Sequence, residues 1–107
     1  MKIFFGESIV SKELLEEAGN KNKIKLEYYK IINEDKINRK EKSKFGISVI
    51  KKEYIENKME TEEKMIKHLS NDEKVIEKIL KIFKENEVTP VTTIDIIRDI
   101  FCQYILA

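Results

Sequence analysis

The spacing of apolar residues changes partway along the chain, from every second position to every third or fourth. That switch constrains the fold more than any other feature. Between Lys23 and Asn33, Ile24, Leu26 and Tyr28 alternate with Lys25 and Glu27, which predicts a strand with one apolar face. Tyr29, Ile31 and Ile32 follow, so the opposite face is partly apolar as well. From Lys44 to Ile55 the alternation returns in Phe45, Ile47 and Val49, with the β-branched content that strands favour. The polar stretch Asn33 to Ser43 between these runs fits the loop of an antiparallel hairpin. A further strand is expected across Glu62 to Leu69, with Met65 and Leu69 turned inward. Residues 8 to 19 suit either a short helix, capped by Ser11 and stopped at Gly19, or strand and turn; strand and turn is the expectation.

Beyond Ser70 the period becomes helical. Ile76, Ile79, Leu80 and Phe83 repeat at i, i+3, i+4 and i+7, and Lys74, Lys78, Lys81 and Glu85 take the opposite side. Ser70 and Glu73 have the spacing of a capping box, and Pro90 forces the helix to end before it. A second helix is predicted after Thr92, which pairs with Asp95 as a cap, while Val91 and Ile96 occupy staple positions. Its apolar set, running from Ile94 to Leu106, leaves only the narrow polar stripe Asp95, Arg98, Asp99 and Cys102. A helix apolar around most of its girth needs cover on more than one side. The expected fold class is therefore α+β: an antiparallel meander of three to four strands with a C-terminal helical hairpin packed on one face, in a single domain of residues 1–107.

The segment Val88-Thr-Pro-Val-Thr92, between an amphipathic helix and a short acidic one, resembles a family of small uncharacterised proteins from anaerobic Gram-positive bacteria. In that family a helix ends in an Asn-x-Val-x-Pro-like turn. Asn86, Val88 and Pro90 fit the turn, and Asp95 and Asp99 fit the acidic helix. Leu26 to Tyr29 and Phe45-Gly46-Ile47 look like its two strand signatures. The resemblance implies the same fold and a function that is unknown, and it carries no catalytic residues.

Composition narrows the chemistry. The 21 Lys and Arg residues balance 20 Asp and Glu, for a net charge of +1, which argues against nucleic acid as a partner drawn by a global field. One cysteine excludes an internal disulfide and a cysteine-built zinc site. The apolar run Ile3 to Phe5 is too short for a secretory signal, and no stretch reaches the ~20 apolar residues of a membrane span. The expected location is the cytoplasm, with no membrane partner.

Several side chains invite a chemical role. His68 is the one candidate for a histidine general base, but no Ser/His/Asp or Cys/His spacing points to it. Asp95 and Asp99 could join His68 around a metal, yet carboxylates bracketing Arg98 serve ordinary contacts within the helix. Cys102 sits beside Asp99, whose charge disfavours a thiolate. Gly6, Gly19 and Gly46 are too far apart for a phosphate loop. The two C-terminal helices lack the cationic face of a helix-turn-helix reader.

No catalytic residue, cofactor or metal is therefore expected. The leading expectation is a non-enzymatic protein-interaction module whose partner is unknown. It would self-associate as a homodimer through its last helix, with Ile97, Ile100, Phe101 and Tyr104 as candidate contacts. The alternative is a nucleic-acid-associated regulator using the basic loop 36–44, where Lys36, Arg39, Lys40, Lys42 and Lys44 would meet a polyanion. The two separate on heparin. An interaction module flows through at low salt, the expected result. A polyanion-binding loop retains the chain until salt rises, and Lys40→Glu with Lys42→Glu abolishes that retention.

Overall fold

A computed structural model describes residues 1–10, 24–33, 43–55 and 57–101. Four strands, β1 (Lys2–Ile9), β2 (Ile24–Ile32), β3 (Phe45–Ile55) and β4 (Lys58–Ser70), precede two helices, α1 (Glu73–Glu85) and α2 (Thr93–Ile100). The strands form one antiparallel sheet in the order β1-β2-β3-β4, a meander in which each strand pairs with its neighbour in sequence. The expected α+β class and helix-covered sheet are both present.

Strand register decides which side chains meet the helices. Tyr28 lies opposite Val49, and Lys30 opposite Ile47, so Leu26, Tyr28, Ile47 and Val49 share one face. That face packs against Ile76, Ile79, Leu80 and Phe83 of α1, all fully buried with it. Each such side chain contributes about 2 kcal/mol by leaving water. The Tyr28 ring meets Phe83 edge-on at 6.4 Å, and its hydroxyl donates to the Val88 carbonyl at 2.9 Å, tying the sheet to the chain beyond α1. Burial raises the Tyr28 hydroxyl's pKa, with the Glu87 charge adding to it, so the group stays a proton donor. Lys30, on the same face, reaches Glu73 at 2.5 Å and Glu77 at 3.2 Å; its pKa is raised chiefly by the Glu73 hydrogen bond.

The helix ends differ from the expected caps. Asp72, not Ser70, caps α1: its carboxylate accepts from the Lys74 amide at 3.0 Å, while the Ser70 hydroxyl accepts from the Asp72 amide. β4 runs through Ser70, so the chain leaves extended geometry two residues later than the capping-box spacing implies. At the other end Glu87 adopts a left-handed φ of 51°, and Val88 N–H donates back to the Phe83 carbonyl. This is the closing bond of a Schellman-type turn. At α2, Thr92 is the N-cap but makes no capping bond. Its hydroxyl turns back to the Thr89 carbonyl at 3.2 Å, and Val91 is too exposed to staple against Ile96.

Two irregularities shape the sheet. β1 shifts register between Phe4 and Gly6, so Phe5 is an extra residue. β4 shifts between its partners Phe45 and Ile47, with Lys67, His68 and Leu69 arching past Gly46. A Cβ at Gly46 would lie 2.1 Å from the Ile66 carbonyl oxygen and 2.4 Å from that of Lys67. Nothing larger than glycine fits without moving backbone. Asn33 holds the same corner: its side-chain amide donates to the carbonyls of Lys67 (2.7 Å) and Lys44 (3.1 Å). Gly46→Ala is therefore expected to cost roughly 3 kcal/mol or more in a urea unfolding titration, beyond the range of an ordinary surface change.

Candidate interaction face

The register that sends Leu26, Tyr28, Ile47 and Val49 toward the helices sends their neighbours to the other side of the sheet. There, residues directly opposite one another form rows across the strands. One row holds Phe4, Tyr29, Ser48 and Met65. The next holds Glu7, Glu27, Ile50 and Glu63, and the one after it Ile9, Lys25, Lys52 and Thr61. Tyr54 and Met59 complete the pattern at the turn end. An acidic row thus lies beside a basic row.

Like charges directly across a strand pair repel, and this face contains two such pairs, Glu7 with Glu27 and Lys25 with Lys52. Ion pairs between the rows offset them. Glu27 bridges both lysines, at 3.1 Å to Lys52 and 3.5 Å to Lys25, and Lys25 also meets Glu7 at 2.9 Å. The Tyr29 hydroxyl donates to Glu27 at 3.1 Å. Lys2 forms an ion pair with Glu63 and lies 4.9 Å above the Tyr29 ring, while the buried Ser48 hydroxyl donates to Glu63 at 2.6 Å. Phe4 packs edge-on against Tyr29 at 5.5 Å.

Burial pushes the Glu27 carboxyl's pKa up, but the hydrogen bonds from Lys52 and Tyr29, with the charges of Lys52 and Lys25, outweigh it and hold the pKa below the ordinary range. Glu63 is lowered by its hydrogen bonds from Lys2 and Ser48. The Lys25 ammonium is raised, mainly by Glu7. Tyr29 is raised by burial and by its bond to Glu27. Among the described residues these charges are paired with one another, and the one serine hydroxyl in the set, Ser48, is a donor to Glu63.

Five apolar residues of this face stay open to solvent. Phe4, Ile9, Tyr54, Met59 and Met65 are each between 44% and 57% exposed. Sequence alternation identified the inward residues of β2 and β3, but this face emerges only once the cross-strand register is known. Its residues come from four separate strands.

Those side chains singled out from sequence that the structure describes lie elsewhere. Ile97 and Ile100 are buried within the chain's own core, and Phe101 packs partly buried against it. Tyr104 lies outside the described residues, as do Cys102 and Lys36, Arg39, Lys40 and Lys42. Lys44 places its ammonium 5.4 Å from the Phe45 ring, beside the Asn33 corner. His68 Nδ1 lies 2.8 Å from the Ser43 carbonyl and 3.3 Å from the Asn33 amide nitrogen. Among the described residues, no three His, Cys, Asp or Glu side chains group in a way that could hold a metal ion, so Asp95, Asp99 and His68 form no such site. No helix among them is long and apolar enough to cross a membrane.

Fold and face together define a small α+β protein: a four-stranded antiparallel meander followed by two C-terminal helices, the first of them laid over one face. The chain belongs to a family of unknown function, DUF6514, whose model matches residues 7–103. No curated protein and no solved structure matches it.

The charge rows make stability pH-dependent. A carboxyl whose folded pKa is depressed contributes stability that is complete above its unfolded value, near 4.5, and lost as pH falls through the folded value. The urea midpoint is expected to drop as pH falls below about 5. Glu27→Gln should lower the midpoint at pH 7, because Lys25 and Lys52 lose their bridge, and should flatten the acid slope. A variant that matches the parent at both pH values would show that the bridge contributes nothing.

Proposed function

We propose that this chain is a non-enzymatic protein-interaction module of the cytoplasm that docks through the outer face of its sheet. One observation carries the reading: five large apolar side chains from three strands stand half exposed on a single face whose charges are already paired. A face of that kind offers a partner apolar contact, while the paired ions limit the desolvation cost that isolated charges would impose. Among the described residues, the ionised groups of this face lean on one another, which suits recognition better than proton transfer.

The sequence alone points to self-association through Ile97, Ile100, Phe101 and Tyr104. The first two are committed to the core, so the outer face is the better contact surface. A photo-activatable side chain at Tyr54, compared with one at Lys78 on the solvent side of α1, tests the reading in whole cells. Protein adducts, to a second copy or to another chain, are expected from position 54 and not from position 78. Equal yields at the two positions, or none at 54, would refute it.

A further inference from the structure

We infer that the partner of this face is a second copy of the same chain, stacked sheet on sheet about a two-fold axis that runs across the strands between the acidic and basic rows. The inference rests on the docking role proposed above and names its occupant.

The argument is one of charge complementarity. Rotation about that axis keeps each strand over its own counterpart but exchanges the two rows. Glu27 then lies over the partner copy's basic row at Lys25, and Ile50 over that row at Lys52. Viewed along the stacking direction, each lysine is offset by no more than one strand spacing, about 4.8 Å, from two carboxylates of the opposing row, across sheets about 10 Å apart: Lys25 from Glu7 and Glu27, and Lys52 from Glu27 and Glu63. The same rotation sets Met65 over Met59, joining two exposed side chains. The Lys25 and Glu7 side chains are 40% and 48% exposed, so each has surface free for a second opposite charge.

The competing two-fold arrangement, with its axis along the strands between β2 and β3, brings Lys25 over Lys52 and is opposed by charge. Only the cross-strand axis matches unlike rows. Four strands spaced about 4.8 Å apart and about eight residues long would bury roughly 1,000 Å² in total, at the low end for specific contacts. The pairing is accordingly weak, concentration-dependent and salt-sensitive.

Sedimentation of the purified chain across the micromolar range is the test. A monomer–dimer equilibrium that shifts toward monomer as salt rises is expected. Lys52→Glu and Glu63→Lys, each confirmed folded by circular dichroism, should weaken dimerisation at least roughly tenfold when measured alone. Mixed one to one, they should pair again, because both contacts between positions 52 and 63 are then attractive. Met59→Lys, which breaks no ion pair, should also be monomeric and covers the case in which either charge reversal fails to fold. A parent chain that stays monomeric at high micromolar concentration, or a dimer indifferent to both Lys52→Glu and Met59→Lys, overturns the inference. In the monomeric case, selective adducts from position 54 to another protein would leave the docking role standing without a second copy.

Discussion

The parity of β2 and β3 governs this structure. In a strand, neighbouring side chains point to opposite faces, so once Tyr28 and Val49 face α1, Tyr29 and Ser48 must face away. The inward set builds the core with Ile76, Ile79, Leu80 and Phe83. The outward set brings Glu27, Lys25 and Lys52 together with no freedom to separate them. A slip of one residue would bury Glu27 and Tyr29 under the helix and expose Leu26 and Tyr28. The energetic gap between those registers is several apolar side chains wide, which pins the pattern on both faces.

Given that register, like charges must sit opposite one another, and the outer face works around this constraint. The Glu27 carboxylate takes hydrogen bonds from Lys52 and Tyr29 and the charge of Lys25, although it is among the most buried polar groups of the chain. Attraction exceeds the cost of desolvation there, as its lowered pKa indicates. Lys2 and Glu63 extend the same principle from one edge strand to the other, over the Tyr29 ring. On this face paired charges set the arrangement of the side chains, where on the opposite one apolar contact does.

Much of the fold can be read along the chain because its periods are clean. β2 and β3 follow the alternation ending at Tyr28 and Val49, and α1 follows the helical spacing from Ile76 to Phe83. β1 is obscured by its own bulge: the extra Phe5 makes Ile3, Phe4 and Phe5 read as a continuous run rather than an alternation. β4 is four residues longer at its start than Glu62 suggests, because Lys58, Glu60 and Thr61 on an exposed edge need no apolar partner to mark them. In the described part of α2, Ile97 and Ile100 face the core while Ile94 is exposed. The outer face was the least legible feature. Glu7, Glu27 and Glu63 share a row only after three separate pairings have been fixed.

Among the described residues β1 and β4 are the outer strands of the meander, and an outer strand's edge can recruit further strands. Here β1 is kinked by the Phe4–Gly6 bulge, and β4 presents Lys58, Glu60, Glu62 and Lys64 along its rim. Neither offers the flat, uncharged border on which a growing fibril could add its next layer. The bulge that hides β1 from a reader of the sequence also breaks the flat edge that strand-by-strand addition requires.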